Sequence, residues 1–205
     1  MLGLPSSTEL NRRIAKEKLY ANANLSPQLR GLLKDQIEAV VWRNKLAAGT
    51  FNVSAGDTVD ELQVFEIQLR QRGLDKKVLP VIAKAIPYKI LFILTFCNEA
   101  QLWIETAGTF YNTDWKPLDE LTLDFRGLNL DAVYESLARQ VAQGRLDTSE
   151  NITDAVNRDK QRQKLEREIA ALEKKVVNEK QFNRQVELNT ELKRMKTELE
   201  ELCYA

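Results

Sequence analysis

From Val156 to Leu202 the chain has neither glycine nor proline, and RDKQRQKLEREIAALEKKVVNEKQFNRQVELNTELKRMKTELEEL is dense in Glu, Lys, Arg, Gln and Leu. These side chains lose little rotamer freedom in a helix, and nothing in the stretch breaks one. Its apolar residues fall into two seams. Leu165, Ile169, Leu172 and Val176 step by 4, 3 and 4; Leu188, Leu192, Met195, Leu199 and Leu202 step by 4, 3, 4 and 3. An amphipathic helix must bury such a ridge against another helix. Continuing the first register would put Glu179, Asn183, Thr190, Lys193, Thr197 and Glu200 in the core, so the seams are out of phase. The spacing predicts either one helix with a discontinuity near Asn178 to Val186 or a helical hairpin, with Phe182 and Val186 plugging its open end. The nine seam residues are the expected helix-partner interface, within the chain or with another molecule.

The remaining 155 residues suffice for one compact domain. The 30 basic and 30 acidic side chains cancel, so no global field drives the chain onto nucleic acid or membrane. The distribution is uneven. Residues 1–50 carry eight Lys or Arg against four acids, whereas 51–155 carry ten against sixteen. There is no histidine, which removes the commonest general base and metal ligand together with every Ser–His or Cys–His pair. Cys97 and Cys203 are too few for a disulfide framework, and Cys97 sits in an apolar run that reads as core. The opening MLGLPSSTEL lacks the pattern of a signal peptide, and the longest apolar run, Ile90 to Cys97, is too short to span a bilayer. A cytoplasmic protein with no membrane partner, no metal and no cofactor is expected.

Residues 1–25 read as a basic arm with a short helix around Lys16 to Ala21. Residues 26–145 read as an α+β domain, 146–155 as a hinge and 156–205 as the helical tail. Ser26-Pro27 is a strong helix start, and Leu29, Leu32, Leu33, Ile37, Val40 and Val41 carry helical spacing toward Gly49. Thr50 to Ser54 reads as a short β segment. LQVFEIQL (Leu62 to Leu69) alternates, with Gln63, Phe65, Ile67 and Leu69 on one face. Asp75 to Ile86 reads as a helix, Ile90 to Cys97 as a strand buried on both faces, and Gln101 to Glu105 as its hairpin partner. Phe110 to Trp115 and Leu121 to Phe125 are strand candidates, and Leu128 to Gln143 is a helix ended by Gly144. The order predicts a single mixed sheet flanked by helices and followed by a coiled-coil or hairpin tail. The aromatics Trp42, Trp103, Trp115, Phe65, Phe92, Phe96 and Tyr88 lie in apolar periodic segments and are expected in the core.

Several strings are more distinctive. LPSSTELNRRIAKEKLY, LKDQIEAVVWRNKLA, ELQVFEIQL, AIPYKILFIL followed by QLWI, GLNLDAVYESLARQ and the ending EKQFNRQVELNTELKRMKTELEEL together resemble the bacterial family called domain of unknown function 4391. Ala15 departs from it, at a position where the family favours proline. The resemblance covers nearly the whole chain and implies a neighbourhood of helicases and DNA methyltransferases in restriction-like phage-defence islands. The implied role is an accessory subunit, not an enzyme, that assembles with such a helicase or methyltransferase, contacts nucleic acid, or forms a homo-oligomer through its tail.

Two sets of residues bear chemistry. The order helix, strand, strand, helix, strand resembles a nuclease core that holds Mg²⁺ on carboxylates. Glu38 would be its helix acid, Asp57 or Asp60 the second ligand, and Glu66-Ile67-Gln68 the third-strand motif, with Gln68 where a lysine would stabilise developing charge. A Mg²⁺-dependent or degenerate nuclease is therefore the alternative to assembly. The second set, Arg12, Arg13, Lys16 and Lys18, is a cation cluster of the kind that contacts phosphate, with Tyr20 beside it as a stacking group.

Overall fold

The computed structural model describes residues 2–15 and 26–204. It divides into two compact units, residues 1–144 and 145–205.

The first unit is α+β. Its strands are β1 (Glu9–Ile14), β2 (Ile37–Ala47), β3 (Glu61–Leu69), β4 (Lys89–Phe96), β5 (Glu99–Thr106), β6 (Thr109–Asn112) and β7 (Lys116–Pro117). Its helices are α1 (Pro27–Gln36), α2 (Ala48–Phe51), α3 (Val78–Lys84) and α4 (Leu130–Ala142). The sheet runs β1-β2-β3-β4-β5-β6, with β7 also on β5. All neighbours are antiparallel except β3 and β4, which are parallel and joined by the crossover carrying α3. Ala107 and Gly108, both at positive φ, make the two-residue turn between β5 and β6.

Burial on both faces explains the near-continuous apolar sequences of β3 and β4. On one face Phe65, Ile67, Ile90, Phe92 and Leu94 meet Leu33 of α1 and Val78, Leu79 and Ile82 of α3. On the other face Leu62, Val64, Leu91, Ile93 and Ile104 are buried, and α4 packs on β5 and β6 with Val133, Leu137 and Val141 inward.

Several expectations for this unit change. Residues 9–14 are the edge strand β1, so that part of the expected arm belongs to the sheet. The expected helix at Lys16 to Ala21 lies outside the described residues. The Ser26 side chain caps α1 by accepting from the Leu29 N–H (3.3 Å), but the helix stops at Gln36 and not at Gly49. Gln36 is committed elsewhere: its carbonyl accepts from the Arg70 N–H (2.9 Å) and its side chain from the Asp75 N–H (2.9 Å). Beyond it, β-branched Ile37, Val40 and Val41 pair with β3 as a strand. Thr50 falls in α2, and residues 121–125 form no strand. Cys97 is exposed, at the β4–β5 turn with φ 53°, and not in the core.

The second unit is a helical hairpin of α5 (Ile152–Asn178) and α6 (Phe182–Tyr204). Helix α5 begins within the expected hinge, where the Asn151 side chain accepts from the Asp154 N–H (3.0 Å). The chain reverses without glycine or proline because Glu179 takes an extended conformation and its carboxylate accepts from the N–H groups of Lys180 (2.8 Å) and Gln181 (2.9 Å). Leu165, Ile169, Leu172 and Met195 form the buried seam, flanked by Leu188, Leu192, Leu199 and Leu202, with Val176 half-buried. The helix that these residues were expected to meet is thus supplied within the chain. Lys196 bridges to Glu173 (2.7 Å) across the pair. Phe182 and Val186 do not plug the open end; both are exposed. Among the described residues, no helix is long and apolar enough to cross a membrane.

Candidate functional site

The expected metal-binding acids lie apart. Glu38 is exposed on β2, at the bulge between Ile37 and Ala39, and not on a helix. Asp57 lies in the loop before β3, and Asp60 immediately precedes that strand. Glu66 lies six residues further along, about 20 Å of extended chain, whereas ligands of one cation sit within about 2.6 Å of it. No group of three acidic or cysteine side chains suited to a metal occurs among the described residues.

Glu66 and Gln68 share a face of β3, and Gln68 Nε2 donates to Glu66 Oε1 (3.2 Å). The Glu66 side chain is only 5% exposed and forms an ion pair with Arg43, whose Nε donates at 2.5 Å. Thr95 Oγ1 also donates to it (3.1 Å), and Arg43 Nη1 donates to Asn11 Oδ1 (3.0 Å). This carboxylate ties three strands together across the sheet.

Asp57 is held through its backbone. Asp131, at the first turn of α4, accepts from the Asp57 N–H (2.7 Å) and the Thr58 hydroxyl (2.8 Å). Partial burial raises the Asp131 pKa, but hydrogen bonds from the Thr58 hydroxyl and the N–H groups of Asp57, Thr58 and Val59 outweigh it and hold the carboxyl below its ordinary value. Gly56 leaves room for this carboxylate: a Cβ there would clash with the Asp131 side chain, which would have to shift.

The cation cluster also separates. Arg12 pairs with Trp42 and Arg13 with Val41 across β1 and β2, so successive side chains leave opposite faces of the sheet. Both are exposed. Lys16, Lys18 and Tyr20 lie outside the described residues.

Trp42, Phe65 and Tyr88, three of the aromatics expected in the core, line a cavity. This cavity, of about 330 Å³, opens on the face of the sheet that carries Trp42, Gln63 and Phe65. Ile14, Ile86, Pro87 and Tyr88 complete its apolar wall, and Lys45 and Glu61 its polar side. Trp42 stacks on Phe65 with centroids 6.0 Å apart and planes 14° from parallel. Trp42 Nε1–H donates to Gln63 Oε1 (2.6 Å), Gln63 Nε2 donates to Glu61 Oε2 (2.9 Å), and Lys45 pairs with Glu61 Oε1 (2.6 Å). Tyr88, expected in the core, is 45% exposed at the rim.

A second cavity of about 350 Å³ shares Glu61, Pro87 and Tyr88 and reaches Lys84, Lys89, Glu105 and Tyr134. Lys89 Nζ lies 5.5 Å from the Tyr134 ring, and the phenol donates to the Glu105 carbonyl. Burial, and then the Glu105 charge, push the Tyr134 phenol well above its ordinary pKa, so it is a donor and not a base. The only sequence signal for the first cavity was the alternation of LQVFEIQL, which places polar Gln63 on the face otherwise carrying Phe65, Ile67 and Leu69.

The family described as Domain of unknown function (DUF4391) matches residues 2–199. The chain belongs to this family. The DUF4391 match spans both units, so sheet and hairpin are family features together. No curated protein and no solved structure matches the chain.

Proposed function

We propose that this DUF4391 protein is an accessory, non-enzymatic subunit of a bacterial DNA-modification or phage-defence system in the cytoplasm. It acts by assembly with the helicase or DNA methyltransferase of that system. The observation that carries this reading is the turn end of the hairpin, where Val177 is 80%, Phe182 76% and Val186 48% exposed. Apolar side chains gathered on an otherwise charged hairpin favour a protein contact. The seam leucines hold the hairpin in shape and leave its end for the partner. The partner classes rest on the gene neighbourhood that the family resemblance implies. Exposed Arg12 would add a phosphate contact.

The test is tagged capture from the native host, comparing the wild-type chain with a Val177→Ser, Phe182→Ser, Val186→Ser variant. Recovery of the helicase or methyltransferase encoded alongside, lost in the variant, supports the reading; equal recovery by both overturns the role of the hairpin end. The nuclease alternative is weaker because Glu66 is engaged by Arg43, Gln68 and Thr95. Cutting of supercoiled plasmid with Mg²⁺ or Mn²⁺ that is abolished by Glu66→Ala would reverse that ranking.

A further inference from the structure

The cavity under Tyr88 combines a rigid aromatic wall with a carboxylate on its edge. Trp42 is held by stacking on Phe65 and by its hydrogen bond to Gln63, so its ring is pre-set and not free to turn. Tyr88 lines the same cavity and is 45% exposed, accessible enough to close over a flat ligand. The volume, about 330 Å³, lies at the small end of the range for ligand sites. A planar ring system is the shape that such walls accept, by stacking.

The edge chemistry narrows the choice. Glu61 Oε1 accepts from Lys45 and Oε2 from Gln63, which fixes the carboxylate while each oxygen keeps a further lone-pair site. A carboxylate so held matches two adjacent N–H donors, as it does an arginine fork. Among the nucleobases, guanine carries such a pair on its Watson–Crick edge, at N1 and N2. Adenine would place the N1 acceptor against the carboxylate, cytosine its N3, and thymine a carbonyl on each side of its single N–H. Arg12, exposed on the same face through its pairing with Trp42, supplies a cation for a phosphate, while Lys45 stays with Glu61.

We infer that this cavity binds a guanine base between Trp42 and Tyr88, read by Glu61. The base comes from a free nucleotide or from an unpaired stretch of nucleic acid. The inference does not depend on the hairpin reading, which concerns the other unit.

Indole N–H resonances of the full-length chain provide the test, with the Trp42 signal assigned by its loss in Trp42→Phe. GMP should move that signal, and AMP should bind about tenfold more weakly, as one mismatched hydrogen-bond edge requires. Glu61→Gln should remove the preference for GMP. Tyr88→Ala, at an exposed position that the fold does not need, should weaken both nucleotides. An oligothymidylate with one internal guanine that binds more tightly than GMP would mark nucleic acid as the source; the reverse order would mark the free nucleotide. The inference is overturned if no nucleotide moves the Trp42 signal at millimolar concentration, if inorganic phosphate moves it as far as GMP does, or if GMP and AMP bind alike and Glu61→Gln changes neither.

Discussion

Arg43 and Asp131 each hold a loop or strand in place through charge, and substitutions at them should fail in different ways. Removing Arg43 leaves Glu66, 5% exposed, without its cation. Arg43→Met should therefore cost about 3 kcal/mol by urea unfolding, and Glu66→Gln clearly less, because the amide keeps partners in Thr95 and Gln68. Equal costs would mean that an unpaired carboxylate is no worse here than an unpaired guanidinium. Asp131 is a pH matter. Its folded pKa is depressed, so its contribution is present above the unfolded value, about 4, and is lost as pH falls through the folded value. The melting-temperature gap between wild type and Asp131→Asn should be full at neutral pH and shrink below about pH 4. Gly56→Ala should cost about 1–3 kcal/mol through its clash with the Asp131 carboxylate. Most of that cost should vanish in an Asp131→Ala background; a strictly additive double variant would show that Gly56 acts through the backbone instead.

Elements were legible where local pattern and tertiary demand agree. Strands β3 and β4 could be read from alternation and from an unbroken apolar run, and the start of α1 from Ser26-Pro27. The end of α1 could not, because Leu33, Ile37, Val40 and Val41 suit a helical stripe, and the stop at Gln36 comes from hydrogen bonds to Arg70 and Asp75 far along the chain. That misplacement carried the site with it: Glu38 belonged to the nuclease set only as a helix residue. Arg12 and Arg13 formed a cluster only while their segment was read as an arm. The hairpin was legible from its two seams, but its turn was not, because Glu179 substitutes for the usual glycine. Ile169→Ala and Leu172→Ala should each cost about 2 kcal/mol or more and reduce helicity by circular dichroism. Unchanged helicity in the double variant would mean that the seam does not hold α5 to α6.

At the scale of the whole molecule, one chain carries two compact units with different kinds of surface. The sheet unit presents cavities and a rim of charge; the hairpin presents three exposed apolar side chains at its turn. Serine at Val177, Phe182 and Val186 removes apolar surface that is already wet, so each change should alter stability by no more than about 0.5 kcal/mol. Thermal unfolding of the triple variant checks this. A large drop would show that those side chains support the fold and not a contact. The family match over residues 2–199 covers both units, which argues against treating the hairpin as an appendage.

Because α5 and α6 zip onto one another within a single chain, their pairing is insensitive to dilution. Even for a scarce protein the hairpin is already formed before anything collides with it, and the entropy of pairing its two helices is not subtracted from whatever affinity its turn provides.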